Sequence, residues 1–448
     1  MKKLNTFPYE HVLVLGLAKS GTAAATVLLE QGKKVRINDI QVIDQQLEDH
    51  FNALGAEVIT GSHPLSVVDN IDIVVKNPGI PYDNPIIKEA TKRHIPIITE
   101  IEIAAKLSDA SIIGVTGSNG KTTTTMLITD MLTQSKKPVK VAGNIGTVAT
   151  EIAKDMHEDE TLVLELSSFQ LLGVQTFKPH ISILLNIYEA HLDYHKTIDH
   201  YVMAKCQIFR NQLSSDFLVY NADDKTTAHV VTEAKATLMP FSRHGTVKTG
   251  AWADATSLYF KGEKIIDKKD IALVGDHNVE NILAAICAIK LSGGTSDSIR
   301  KVLMSFTGVK HRLQLVDRVN DRLFYNDSKA TNMLATQKAL LSFKQPTILL
   351  AGGLDRGNEF TDLLPYLTYI KAMVVFGETA FKLKALAKKA DIPLVEHVKD
   401  VEEAVVAAYQ LSDEGDVILL SPACASWDQY RTFEERGDMF IKAVHKLS

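Results

Sequence analysis

A short apolar run, Ser111–Val115, gives way to Thr116-Gly117-Ser118-Asn119-Gly120-Lys121-Thr122-Thr123 and then to a helical pattern. Strand, glycine turn and helix in that order commit the segment to a βα unit of a parallel sheet. They also make it a candidate phosphate loop. Glycines let backbone N–H groups turn inward around phosphate oxygens, and the helix adds its positive N-terminal end. In that setting Lys121 reaches the β- and γ-phosphates as a point charge, and the Thr122 hydroxyl suits Mg²⁺, which prefers oxygen ligands. The match to the strict pattern is incomplete. Position 115, where the first glycine belongs, holds Val115, and Gly114 stands one residue early.

The same alternation of short apolar runs and helical patterns restarts three times along the 448 residues, enough chain for about three ordinary domains. The expected fold class is α/β, with three domains, each on a mostly parallel Rossmann-like sheet and the central one P-loop ATPase-like. The expected divisions are 1–99, 100–308 and 309–448. Expected strands are His11–Leu15, Lys34–Asn38 and Asp72–Lys76 in the first block. The second should hold Ser111–Val115, Thr161–Leu166 and His180–Asn186. The third should hold Arg322–Asn326, Thr347–Ala351, Ala372–Phe376 and Val417–Leu420. A helix is expected from about Thr22 to Gln31.

Composition narrows the function classes. A net charge of −5 gives no bulk basic field for nucleic acid. Cys206, Cys287 and Cys424 lie far apart without metal-ligand spacing, and so sparse a set suits a reducing compartment. No stretch approaches the ~18 apolar residues of a membrane span, and the first residues lack a signal-peptide cleavage pattern. The expectation is a cytoplasmic globular protein.

Other candidates follow from where strands end. In a parallel sheet the carboxyl ends converge on one edge, where ligands bind. Glu165, closing one strand, and His191, just past another, can therefore share a site with the phosphate loop. Gly16 and Gly21 after the first strand, with Asp39 at the end of the next, suggest a second nucleotide site. The spacing is not the full dinucleotide fingerprint, so a structural turn or an NAD enzyme stays open there. Lys205, on the helical stretch Tyr201–Phe209, reads by itself as a surface lysine.

The run Thr116–Thr123, Glu165-Leu166-Ser167-Ser168, Asn186 to His191, His277-Asn278 with Asn281, and His311-Arg312 together resemble the Mur ligase family over essentially the whole chain. Two C-terminal runs, Asn326–Asn332 and Ser421–Tyr430, are similar to the branch that adds D-glutamate to UDP-N-acetylmuramoyl-L-alanine in peptidoglycan synthesis. The resemblance implies that the first domain holds the UDP of the nucleotide sugar, the central one ATP and the last the amino acid. It places Leu17, Ala18, Asp39, Asn77 and Gly79 around the uridine diphosphate, and Asn144 and Ser167 at the sugar-peptide part. ATP would meet Gly117, Ser118, Asn119, Gly120, Lys121, Thr122, Thr123, Asn278, Asn281, Arg312 and Asp327. Two Mg²⁺ ions would be held by Thr122, Glu165, His191 and Lys205, the last as a carbamate, which converts a cation into an anionic oxygen donor. Lys329, Thr331, Arg356, Ser426, Trp427 and Phe433 would line the D-glutamate pocket. Arg356 stands where some relatives carry lysine, and Trp427 where some carry an aliphatic residue; Arg and Lys are not interchangeable.

The implied chemistry activates the substrate carboxylate as an acyl phosphate, with Lys121, His191 and Lys205 as the catalytic set and His191 as one candidate proton acceptor. A monomer with no nucleic-acid or membrane partner is expected. Three rivals make different predictions. A folylpolyglutamate synthase should lack a first block like residues 1–99. A motor-type P-loop ATPase should turn over ATP without either co-substrate. A nucleotide-sugar binding protein should need neither Lys121 nor Glu165.

Overall fold

Strand-forming runs of Val, Ile and Leu bounded by glycine, proline and asparagine turns set the architecture. The computed structural model describes Leu4 and residues 6–447. Among these, three sheets succeed one another along the chain. The first comprises β1 (His11–Leu15), β2 (Lys34–Asp39), β3 (Glu57–Thr60), β4 (Ile73–Lys76) and β5 (Ile97–Ile98), all parallel in the order β3-β2-β1-β4-β5.

The second comprises β6 (Ser111–Thr116), β7 (Val139–Gly143), β8 (Thr161–Glu165), β9 (Ile181–Leu184), β10 (Phe217–Asn221), β11 (Thr237–Ser242), β12 (Ala251–Ala253), β13 (Ser257–Phe260) and β14 (Glu263–Asp267). Its order is β14-β13-β12-β11-β10-β9-β6-β8-β7, parallel except for the β12-β13-β14 hairpins at one edge. The third comprises β15 (Gln314–Val319), β16 (Arg322–Asn326), β17 (Thr347–Gly352), β18 (Ile370–Phe376), β19 (Leu394–His397) and β20 (Val417–Leu420). It runs β15-β16-β20-β17-β18-β19 with only the β15–β16 pair antiparallel.

The chain divides into two compact units, one of Met1–Asp270 with Val279–Leu303 and one of Ile271–Asn278 with Met304–Ser448. The first two sheets lie within one unit and share a core in which Val12 and Val14 of β1 belong to the same cluster as Leu162 and Leu164 of β8. Helix Glu100–Leu107 joins them, contributing Ile101, Ile103 and Ala104. In the third sheet consecutive residues serve opposite faces. Leu349, Met373 and Leu419 enter one core, and Ile348, Val374 and Ile418 the other. Burial on both faces explains why these strands read as unbroken apolar runs.

The expected strands are present, with ends shifted by a residue or two. Asp72 lies just before β4, where its carboxylate accepts the N–H groups of Glu10 and His11. The helix expected from Thr22 begins at Lys19 instead. Gly21 thus lies in its first turn, where a Cβ would sit 1.8 Å from Gly16 O. Strands β3, β5, β7, β10–β15 and β19 carried no expectation. No described helix is long and apolar enough to cross a membrane.

Candidate active site

Each sheet places its ligand edge by topology. A crevice opens where the chain leaves a strand to one side and then returns to the other. In the second sheet that strand is β6, flanked by β8 and β9. The loops after these three strands therefore meet, bringing together Gly117–Thr122, Glu165 and Asn186.

The phosphate loop is held from below. Gly120 is left-handed (φ +85°) and begins helix Lys121–Gln134, and a Cβ there would lie 2.0 Å from Asn281 Oδ1. Asn186 brackets the loop, accepting the Asn119 N–H at 2.9 Å and donating to Asn119 O at 3.2 Å, while its carbonyl accepts from Ser118 N. The Ser118 hydroxyl contacts Tyr188 O and Tyr201 OH, each at 3.0 Å. Lys121 Nζ donates to the carbonyls of Gly117 (2.8 Å) and Ser118 (3.1 Å). The Thr122 and Thr123 side chains are buried under the loop.

Lys205 is not a surface lysine. It is 1% exposed, and its Nζ donates to Gly117 O at 2.8 Å, lying 4.6 Å from the centre of the Tyr201 ring. Burial drives its amine well below the ordinary lysine range, and the charge of Lys121 adds to the effect. A lysine amine depressed in this way gives up its proton more readily than a surface lysine.

Glu165 is 2% exposed. Its Oε1 accepts from Asn144 Nδ2 at 2.9 Å, and its buried Oε2 has no hydrogen-bond partner. Asn144 is fixed in turn, its backbone N–H bonded to Glu165 O. A buried carboxylate oxygen without a donor suits a cation. His191 has φ +56° and packs edge-on against Phe169, ring centres 5.1 Å apart. Desolvation lowers its pKa, which favours the neutral ring that ligates metals. Ser167 caps helix Ser168–Leu171 in a reciprocal capping box with Gln170. Among the described residues no three His, Cys, Asp or Glu side chains are grouped so as to hold a metal ion by themselves. Mg²⁺ needs no such cage, since it is commonly bound by one or two carboxylates together with substrate phosphates.

The first sheet repeats the topology around β1. Asp39 Oδ2 accepts the Leu17 N–H at 2.7 Å, tying the turn before Ala18 to the end of β2. Asn77 donates to Ser20 Oγ at 3.0 Å and accepts from Gly79 N at 3.2 Å. Leu17, Ala18, Asp39, Asn77 and Gly79 thus converge on the carboxyl ends of β1, β2 and β4.

In the second unit the crevice strand is β17, which the chain leaves for β18 and β19 and then flanks on the other side with β20, next to β16. Asp327 accepts from Ser421 Oγ at 2.9 Å and Leu313 N at 3.2 Å, and burial pushes its carboxyl up to about 7. Arg312 comes directly after the left-handed His311, and Asn278 Nδ2 bonds Val274 O. Lys329 stacks on Phe433 (5.4 Å), and Arg356 on the exposed Trp427 (4.9 Å). Ser426 is 1% exposed with an unpartnered hydroxyl. Thr331 lies between Lys329, whose carbonyl accepts its N–H, and Asn332, which caps helix Met333–Leu340. Two cations and two hydroxyls suit an amino acid with two carboxylates.

Sequence reasoning missed Arg436. It is fully buried on helix Phe433–His445 and donates to Ser328 Oγ (3.0 Å), Ser328 O (2.9 Å), Cys424 O (3.1 Å) and Gly352 O (3.3 Å). One guanidinium thus fastens the loops after β16, β17 and β20. Nothing in its neighbourhood, Glu434-Glu435-Arg436, separates it from an exposed helical arginine.

Residues 10–99 match the family description Mur ligase MurD-like, N-terminal domain; residues 115–289 match Mur ligase middle domain; residues 311–424 match Mur ligase, glutamate ligase domain. The chain is 57% identical to UDP-N-acetylmuramoylalanine–D-glutamate ligase of Oceanobacillus iheyensis over 448 residues, covering 100% of both. It is 54% identical to the protein of that name from Bacillus cereus over 449 residues, again covering 100% of both. Similar solved structures include UDP-N-acetylmuramate-alanine ligase MurC from Thermotoga maritima, with TM-score 0.59 and 19% identity over 98% of this chain and 100% of that one. MurF ligase from the same organism, in complex with ADP, has TM-score 0.58 and 20% identity over 93% of this chain and 96% of that one.

Proposed function

The chain belongs to the Mur ligase family, and on that premise we propose that it is an ATP-dependent ligase joining D-glutamate to UDP-N-acetylmuramoyl-L-alanine in peptidoglycan precursor synthesis. The observation that carries this reading is the 57% identity, end to end, with a relative named for that activity. The geometry supports it through a phosphate loop on β6, a buried carboxylate with an unpartnered oxygen, and a cationic, hydroxyl-bearing set in the second unit.

In the proposed mechanism the L-alanyl carboxylate attacks the γ-phosphorus of ATP. An O–P bond forms, the bond to ADP breaks, and an acyl phosphate results. Two anions must meet in this step, and the Lys121 ammonium offsets their repulsion. Thr122, Glu165, His191 and a carbamylated Lys205 would hold two Mg²⁺ ions. Bound there, the metal would supply Lewis-acid charge stabilisation to the phosphoryl oxygens. Lys329, Thr331, Arg356 and Ser426 hold the carboxylates of D-glutamate, with Phe433 and Trp427 backing the cations. The amine then attacks the acyl carbon, the C–N bond forms, phosphate leaves and the amine gives up a proton. Asn278, Asn281, Arg312 and Asp327 serve the nucleotide, and Leu17, Ala18, Asp39, Asn77, Gly79, Asn144 and Ser167 serve the UDP-sugar. The reading assigns domains to residues 1–99, 100–308 and 309–448, in a cytoplasmic monomer without nucleic-acid or membrane partners.

The deciding experiment is phosphate release with ATP, Mg²⁺ and UDP-N-acetylmuramoyl-L-alanine, comparing D- with L-glutamate. Release should require the nucleotide sugar and the D-isomer, and ¹⁸O from the substrate carboxylate should appear in the phosphate. Release indifferent to both would leave only a P-loop ATPase.

A further inference from the structure

Lys76, the last residue of β4, is 1% exposed, and no carboxylate pairs with it among the described residues. Its Nζ donates to Ile80 O (2.9 Å), Pro78 O (3.1 Å) and Asn77 O (3.3 Å), and to Tyr194 OH (3.2 Å). The rings of Tyr82 and Tyr194 lie 5.0 and 5.9 Å from it. Tyr194 OH reaches Ile80 O (3.0 Å) and Pro78 O (3.2 Å), and Tyr82 OH donates to Leu172 O at 3.1 Å. An ammonium has three protons, and here carbonyls, a phenol and two ring faces replace water around it. Burial holds its pKa down at about 7, a measure of how completely that water is gone.

We propose that Lys76 is a positioning residue for the nucleotide-sugar site, setting the Asn77–Ile80 loop and fastening it to the segment that carries His191. Two geometric facts carry this. A trans peptide is planar, with C=O and N–H on opposite sides. A Pro78 carbonyl turned in toward Lys76 therefore turns the Gly79 N–H the other way, to the side where Asn77 Oδ1 receives it. Asn77 reaches Ser20 on that same side, beside the turn after β1. On the far side of the cage Tyr194 belongs to the helical turn Leu192–His195, which begins immediately after His191. Tyr194 and His191 both pack edge-on against Phe169, at 4.5 and 5.1 Å. One side chain thus links the loop placed around the diphosphate to the strand-end segment placed at the metal. The inference rests on the nucleotide-sugar reading of the first sheet.

The test uses the full-length protein, with binding of UDP-N-acetylmuramoyl-L-alanine measured by calorimetry without ATP and KM values measured for all three substrates. For Lys76→Met the nucleotide-sugar Kd should rise at least tenfold, with KM for D-glutamate within about twofold of wild type. Tyr194→Phe, which removes one hydroxyl and keeps the ring, should raise the same Kd several-fold. Should Lys76→Met fail to fold, Tyr194→Phe decides alone. Folded variants that bind the nucleotide sugar like wild type, even with a lowered melting temperature, would make Lys76 a structural bolt and overturn the proposal. Wild-type protein that does not bind the nucleotide sugar would overturn the functional reading and this inference together.

Discussion

Lys205 and Glu100 show how burial changes what a residue can do. Lys205 sits beside Lys121 with its pKa held down by desolvation, and a neutral amine adds to CO₂ where an ammonium does not. Activity should therefore fall at least tenfold when dilute protein is held in CO₂-free buffer, and return on adding bicarbonate. Lys205→Ala should lose at least a hundredfold in kcat and show no bicarbonate response. Glu100 is 2% exposed and accepts the Thr150 N–H, and burial pushes its carboxyl up to about 7 against an ordinary 4.5. Between those values the folded protein holds a proton that the unfolded chain has released, so stability falls as pH rises through that window. The contribution is on the order of a few kcal/mol. Glu100→Gln keeps the acceptor without the charge, so urea midpoints should show a smaller loss between pH 5 and pH 8 than in wild type.

Among the elements, helix Phe433–His445 does more than cover the third sheet. Through Arg436 it ties down the three loops that carry Ser328, Gly352 and Cys424. Arg436→Met would leave those carbonyls without donors, at about 1–3 kcal/mol each where water cannot reach them. Melting of the second unit should drop by several degrees, and KM for D-glutamate should rise at least tenfold with KM for the nucleotide sugar unchanged. Equal KM values in folded Arg436→Met would show the loops are held by other contacts. By the same logic the strand β9 matters for the loop at its carboxyl end. There Asn186 and Tyr188, part of the run Asn186 to His191 that carries the resemblance, hold the phosphate loop.

The whole molecule has two compact units with separate cores. Calorimetry should therefore resolve two unfolding transitions. UDP-N-acetylmuramoyl-L-alanine at a hundred times its Kd should raise the stability of the unit holding the first two sheets by about 2.7 kcal/mol and leave the other transition in place. A shift of both together would show the nucleotide-sugar site drawing on the second unit.

The sequence by itself determined the repeated βα pattern, the phosphate loop and the convergence of strand ends, because apolar period, glycine turns and helix starts are local properties. Glu165 and His191 became candidates for that reason, and the resemblance supplied the candidates of the last domain. Only the tertiary structure decided what is buried beside what. Lys205, Lys76 and Arg436 look like ordinary surface cations in the chain. Lys205 and Arg436 have their chemistry set by carbonyls from loops distant in sequence, Lys76 by the carbonyls of the loop that follows it and by the distant Tyr194, and all three by the loss of water around the charge.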